Sequence, residues 1–274
     1  MTERSGERGH SDRKRGAWRV GLPIGALVLL LLLMAGRQTR AAGDLTINTP
    51  RTFASLDGSA DDDDGLVNGV FTKNANLTIA NGGSITCDEN NTPADACPIK
   101  IHVTGNMEIQ AGGSVHANNL GGNGGKAGDI TIDVDGNFTM RGPTVPGGTD
   151  GAFVDAVNQS GGGNAHGGQI LITVGGVTLD TSVDPAVGIC GSPHGDILME
   201  TSTRISTNAA QSVAGDIALY AGHFITIQGV VVAAGFTGGG HGGAITIQAC
   251  CDLLVGDTGQ VASRGRDPGP DRVH

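Results

Sequence analysis

The chain has 274 residues, 48 of them glycine, with 3% aromatic residues and a formal net charge of −10. That length allows one or two domains with a sizeable core, and glycine set among runs of Ile, Val, Leu and Thr points to many strands and tight corners rather than to disorder. The first 42 residues carry eight Lys+Arg against three Asp+Glu and the remainder nine against 24, a balance that excludes nucleic acid and anionic lipid as partners of the main body.

Residues 1–42 combine Arg4, Arg8, Arg13, Lys14, Arg15 and Arg19 with the apolar run "VGLPIGALVLLLLLMAG" from Val20 to Gly36 and small residues at Ala41, Ala42 and Gly43. The charged, apolar, small-residue order predicts a secretory signal peptide. An uncleaved membrane anchor is the alternative, since the run is near the lower length limit for a span. No cysteine follows it, which argues against a lipoprotein signal.

Residues 43–75 are expected to form an N-terminal cap and an acidic loop. The run Asp61 to Asp64 invites a calcium reading, but an EF-hand loop ending its first half at Gly65 needs a ligand at Ala60 and a bidentate carboxylate at Phe71. A solvated loop is the plainer expectation. Farther on, "GGNGGKAGD" has the glycines of a calcium-binding nonapeptide, G-G-x-G-x-D, but Lys126 takes the aspartate position.

Residues 76–265 carry a repeat. Apolar-x-apolar triplets start at Leu77, Ile101, Ile130, Ile170, Ile197, Ile217 and Ile245. A second apolar position follows eight residues on, at Ile85, Ile109, Phe138, Ile205, Ile225 and Leu253; for Ile170 it is Val177, seven on. Alternation with period two marks strands with one buried face, and glycines such as Gly82, Gly83, Gly105, Gly136, Gly175, Gly176 and Gly222 suit the corners between them. No helical pattern separates the triplets, so parallel strands linked by short turns are expected to coil into a solenoid. The stretch from Gly142 to Gly168 reads as a corner insertion. Residues 266–274 show no cap and are expected to be a disordered or truncated end.

Five cysteines in an exported chain favour disulfides. Cys87 and Cys97 flank the polar loop "DENNTPADA" and are expected to be bridged. Cys190, Cys250 and Cys251 leave an odd thiol; adjacent cysteines on a strand point to opposite faces, so a bridge from one of them to Cys190, or to a cysteine beyond His274, is expected instead of a bond between Cys250 and Cys251.

The "GGxITI"-type strands with glycine corners resemble right-handed parallel β-helices of the pectin-lyase-like class, closest to glycine-rich bacterial surface proteins and the shafts of filamentous haemagglutinin-type adhesins. The resemblance implies an all-β, right-handed parallel β-helix behind a signal peptide. It implies no activity, because lyases, hydrolases, phage tailspikes and adhesin passengers share that fold.

Gly240-His241-Gly242 has the form of the histidine turn of pectin hydrolases, but His166-Gly167 and His194-Gly195 repeat it before Ile170 and Ile197, so the corner explains the histidine. The position three after each triplet start reads Ala80, Thr104, Asp133, Thr173, Glu200, Tyr220 and Gln248 and is taken as one solvated outward face. Asp133 and Glu200, two coils apart on it, would stand roughly 9.6 Å apart from the strand spacing, near the upper range for an inverting glycosidase pair. No G-x-S-x-G, Walker loop or CxxC pair occurs, and no cofactor or metal is expected. The leading expectation is a secreted or cell-surface, non-catalytic scaffold of adhesin-like character. A surface glycan or protein would be its ligand, and the membrane a partner only through the N-terminal segment. The alternative is a lyase or hydrolase of acidic polysaccharide using Asp133 and Glu200.

Overall fold

Glycine corners and β-forming runs of three to five residues give a chain of short strands joined by turns. The computed structural model describes residues 43–56, 65–90, 94–121, 124–144, 150–159, 165–192, 194–210, 212–236, 240–265 and 271–273. They belong to one compact unit, Ala41–His274. The signal reading of residues 1–42 and the acidic run Asp61 to Asp64 lie outside the described residues.

Among those residues there is no α-helix, only a 3-10 turn at Phe53–Leu56 that buries Phe53 and Leu56. Apart from one two-stranded hairpin, the described strands form three sheets, visited in turn as the chain advances. Sheet I runs Val70–Lys73, Ile99–Val103, Ile130–Val134, Ile170–Val174, Ile217–Ala221, Ile245–Ala249 and Asp271–Val273, all parallel, with Gly65–Val67 antiparallel at one edge. Sheet II holds Leu45–Ile47, Leu77–Ile79, Met107–Ile109, Phe138–Met140, Ile197–Met199, Phe224–Ile227 and Asp252–Val255. Sheet III holds Pro50–Thr52, Ser84–Thr86, Ser114–His116, Phe153–Asp155, Arg204–Ser206, Val230–Ala234 and Gln260–Arg264.

The registers pile like on like. Phe71, Ile101, Ile132, Ile172, Leu219 and Ile247 are successive partners in sheet I, as are Leu77, Met107, Phe138, Ile197 and Ile225 in sheet II and Ile85, Val115, Val154, Ile205 and Val231 in sheet III. All of these are buried and form one apolar core. A one-residue slip would turn a whole strand's apolar set outward, so burial itself fixes the register.

Two kinds of corner column hold the circuits together. Just before sheet II, Asp44, Asn76, Asn106, Asn137 and Asp196 each use Oδ1 to accept the N–H of the residue one circuit on: Asn76, Asn106, Asn137, Asp196 and Phe224. Carboxamide and carboxylate oxygens thereby satisfy amides that a bare turn would leave unpaired. Two residues before each of four sheet I strands, Gly128, Gly168, Gly215 and Gly243 stack so tightly that a Cβ on any of them would come within 3.0 Å of the carbonyl oxygen below. That answers the "HGG" motif: glycine is required by backbone packing, and the histidine rides beside it.

The phase of the repeat differs from the sequence reading in three places. Leu77–Ile79 and Ile197–Met199 are sheet II strands, not openers of a circuit, because the same two-residue alternation serves every sheet. The insertion read between Gly142 and Gly168 contains the sheet III strand Phe153–Asp155, too short to show periodicity around its one inward apolar residue, Val154. Val177 does not begin a stacked strand. It leads into an antiparallel hairpin, Thr178–Asp180 with Val187–Ile189, that leaves the rotation altogether.

Candidate functional site

The hairpin is the departure from the rotation, and sheet I receives it. Tyr220 and Gln248 are neighbours on the outward row of sheet I. The Tyr220 hydroxyl donates to Ala186 O at 2.7 Å. Gln248 clasps the Gly188 peptide from both sides, its Oε1 accepting from Gly188 N at 2.9 Å and its Nε2 donating to Gly188 O at 2.8 Å. Gly188 is small by necessity, since a Cβ there would meet the Tyr220 ring at 2.9 Å. The Cys190–Cys250 disulfide ties the hairpin's return to the end of strand Ile245–Ala249, with Cα atoms 5.7 Å apart. The outward row is therefore not a solvated threonine face at this end: Tyr220 is 2% exposed.

Between the hairpin's turn and sheet I lies a cleft of about 500 Å³. Leu171, Ala218 and Thr246 come from the sheet, Leu179, Thr181, Asp184, Pro185 and Ala186 from the hairpin, and Gln169 and Asp216 from the preceding corner. An apolar lining with a few polar groups at this volume is the usual make-up of a small-ligand site. Burial pushes the Tyr220 phenol above its ordinary value of 10.0. With the folded value raised, the stability contributed by the neutral phenol is fully present below pH 10 and is lost as pH rises through the folded value. Phenolate absorbance of the chain's single tyrosine should therefore appear above pH 10, with exchange protection of the Gly188 amide falling in the same window. Titration of the phenol with the Gly188 amide still protected would contradict this.

The other predicted residues fall elsewhere. Asp133 lies on sheet I between His102 and Thr173, with its Oδ2 2.9 Å from His102 Nδ1 and its Oδ1 accepting from Thr173 Oγ1 at 2.7 Å. Glu200 follows the sheet II strand Ile197–Met199. It accepts from Arg141 Nη1 at 2.7 Å and from Gly142 N at 3.0 Å, and Glu108 reaches the same guanidinium at 3.4 Å. The hydrogen bond that Arg141 donates to Glu200, ahead of the charges around it, holds Arg141 above its ordinary value. Asp133 thus lies on sheet I and Glu200 just past a sheet II strand, and among the described residues their hydrogen-bond partners differ; the pairing inferred from equal offsets is corrected, because offset counts position along a strand, not which sheet the strand joins. A cleft of about 520 Å³ at Glu200 is lined by Glu108, Gln110 and Arg141 but not Asp133.

On sheet III, Asp155 is buried and receives Arg204 Nη2 and Nε at 2.5 and 3.2 Å and Ser206 Oγ at 2.8 Å. The Asp155 hydrogen bonds hold Arg204 above its ordinary value, and its guanidinium lies 5.7 Å from the Phe153 ring centre. The corner histidines go separate ways. His194 Nδ1 meets Gly222 O at 3.0 Å, His166 Nδ1 meets Ser212 Oγ at 3.4 Å, and His241 is exposed while its carbonyl accepts from Ala214 N at 2.9 Å. Cys87 and Cys97 are bridged, with Cα atoms 5.5 Å apart. Among the described residues no group of three or more His, Cys, Asp or Glu is placed to hold a metal ion.

His102, Arg141 and the Tyr220–Gln248 anchor were not singled out from the sequence. His102 had a signal, sitting between Ile101 and Val103 in the same alternation as Asp133. The anchor had only Pro185 and the turn-forming "DTSVDP" to mark a departure from the repeat. No protein-family model, curated protein or solved structure matches this chain.

Proposed function

We propose that this chain is an exported right-handed parallel β-helix, of the kind used in adhesin shafts, and that it works as a non-catalytic scaffold presenting the hairpin-roofed cleft to a ligand. The hairpin clamped over sheet I carries the reading, for it is fixed by a disulfide and by side chains from two strands. Two disulfides suit an oxidising compartment outside the cytosol. Apolar Leu171, Ala218 and Pro185 with a rim of Thr181, Asp184 and Asp216 favour a neutral surface glycan over an acidic one. Sugar hydroxyls donate to the carboxylates, whereas a polyuronate would meet like charge.

The test is binding of residues 43–274 to a panel of neutral and acidic glycans, beside Leu171→Trp, which fills the cleft. The expected result is saturable binding to a neutral glycan, weakened about tenfold or more by the tryptophan, a loss of about 1.4 kcal/mol. Binding indifferent to Leu171→Trp, or release of unsaturated sugars from a polyuronate, would overturn it.

A further inference from the structure

Sheet III carries two further clefts, and Arg204 lines both. One, of about 330 Å³, is also lined by Asn118, Asp155, Asn208 and Phe236; the other, of about 450 Å³, by Asp150, Phe153 and Ser202. The register places the parts: Arg204 succeeds Phe153 in one outward row, and Ser206 succeeds Asp155 in the other. Asp155, 4% exposed, holds Arg204 by one edge of the guanidinium, through Nε and Nη2, and is itself braced by Ser206 Oγ. A guanidinium is a planar fork of donors. Its other edge, Nη1 with the second hydrogen of Nη2, has no partner among the described residues, and the side chain is 51% exposed.

Two carboxamides of the first cleft are prepared in the same way. Asn118 Oδ1 accepts from Val157 N at 2.8 Å and Asn208 Oδ1 from Ala234 N at 3.2 Å. Each oxygen is thereby held by the backbone, and neither Nδ2 has a partner among the described residues. Phe236, 64% exposed, adds an apolar ring to the lining. Unused donors fixed in place beside an aromatic surface suit a ligand that brings acceptors and an apolar face. Carboxylate or sulfate oxygens accept on a guanidinium edge, and the C–H face of a sugar ring can cover an aromatic ring.

We infer that this cleft binds an acidic sugar residue of a glycan, with its carboxylate or sulfate on the free edge of Arg204 and the Asn118 and Asn208 amides, and its ring against Phe236. Asp155 cancels the charge of Arg204, and Asp150 lines the adjoining cleft, so a continuous polyanion meets like charge there. The ligand is a glycan in which an acidic residue stands among neutral ones. This site is on sheet III and does not depend on the hairpin-roofed cleft of sheet I having a ligand.

The test is a titration of the intact oxidised chain with three methyl glucosides that differ only at C6: the uronic acid, the 6-sulfate and the parent alcohol. Affinity and the side-chain nitrogen signals of Arg204, Asn118 and Asn208 are followed. At least one anion should bind about tenfold or more tighter than the alcohol and shift those signals. A response to the uronic acid alone identifies a carboxylate sugar, and to the sulfate alone a sulfated one. Asn208→Asp keeps the acceptor for Ala234 N but replaces the amide donor with negative charge, so it should weaken the anion about tenfold and spare the alcohol. Phe236→Ala, at an exposed position, should weaken all three sugars, and Leu171→Trp should change none. Equal affinity for the three sugars, or anion binding indifferent to both Asn208→Asp and Phe236→Ala, would overturn the inference. Should Asn208→Asp lower the urea midpoint, Phe236→Ala and the signal shifts decide.

Discussion

Gly168→Ala is expected to lower stability by about 3 kcal/mol, or to prevent folding, read as a fall in the urea midpoint. The new methyl group would enter the space of the Gly128 carbonyl oxygen, and Gly215 packs on Gly168 from the other side in the same way. Relief would require neighbouring circuits to separate, and that strains the paired strands Ile130–Val134, Ile170–Val174 and Ile217–Ala221 together. Gly65→Ala is the control, because nothing lies within 4 Å of the added carbon and no unusual backbone angle is involved. It should stay within about 0.5 kcal/mol of the parent. A cost for Gly168→Ala as small as that of the control would show that the close approach between circuits does not require glycine there.

Removing the Cys190–Cys250 bridge as a Cys190→Ser, Cys250→Ser double variant should cost about 4 kcal/mol, from the closure entropy of a bridge with a sequence separation of 60. The loss should be uneven. The hairpin Thr178–Asp180 with Val187–Ile189 is one isolated antiparallel pair, and two strands alone are marginal in water, so without its tether it depends on Tyr220 and Gln248. Hydrogen exchange at Gly188 should therefore accelerate well before exchange at Ile172 or Leu219, whose strands are paired on both sides. Uniform acceleration at all three positions would mean that the hairpin is part of the cooperative core.

Much of the fold was legible in the sequence because a two-residue alternation of Ile, Val and Leu needs a buried face, and recurring glycines mark where the chain turns. What alternation cannot carry is the identity of the sheet. Leu77–Ile79 and Ile101–Val103 look alike as strings, yet one lies in sheet II and the other in sheet I. The residues ahead of a strand mark the phase only in part. Asn76, Asn106 and Asn137 precede sheet II strands, but Gly195-Asp196 before the sheet II strand Ile197–Met199 repeats the Gly-Asp pair that precedes the sheet I strands as Gly128-Asp129 and Gly215-Asp216. The string around Ile197 therefore could not separate Glu200 from Asp133. The hairpin was hidden for another reason. It is held by side chains of strands that follow it by 30 residues or more, Tyr220 and Gln248, and no local pattern encodes such a contact.

Backbone nuclear Overhauser contacts between sequence-distant strands test the stacked arrangement most directly. If the three sheets stack as described, Ile132 should show interstrand contacts to Ile101 and Ile172, and Ile172 to Leu219, all in parallel register. Contacts linking Ile132, Ile172 or Leu219 to partners in antiparallel order, or no contact among them, would contradict it.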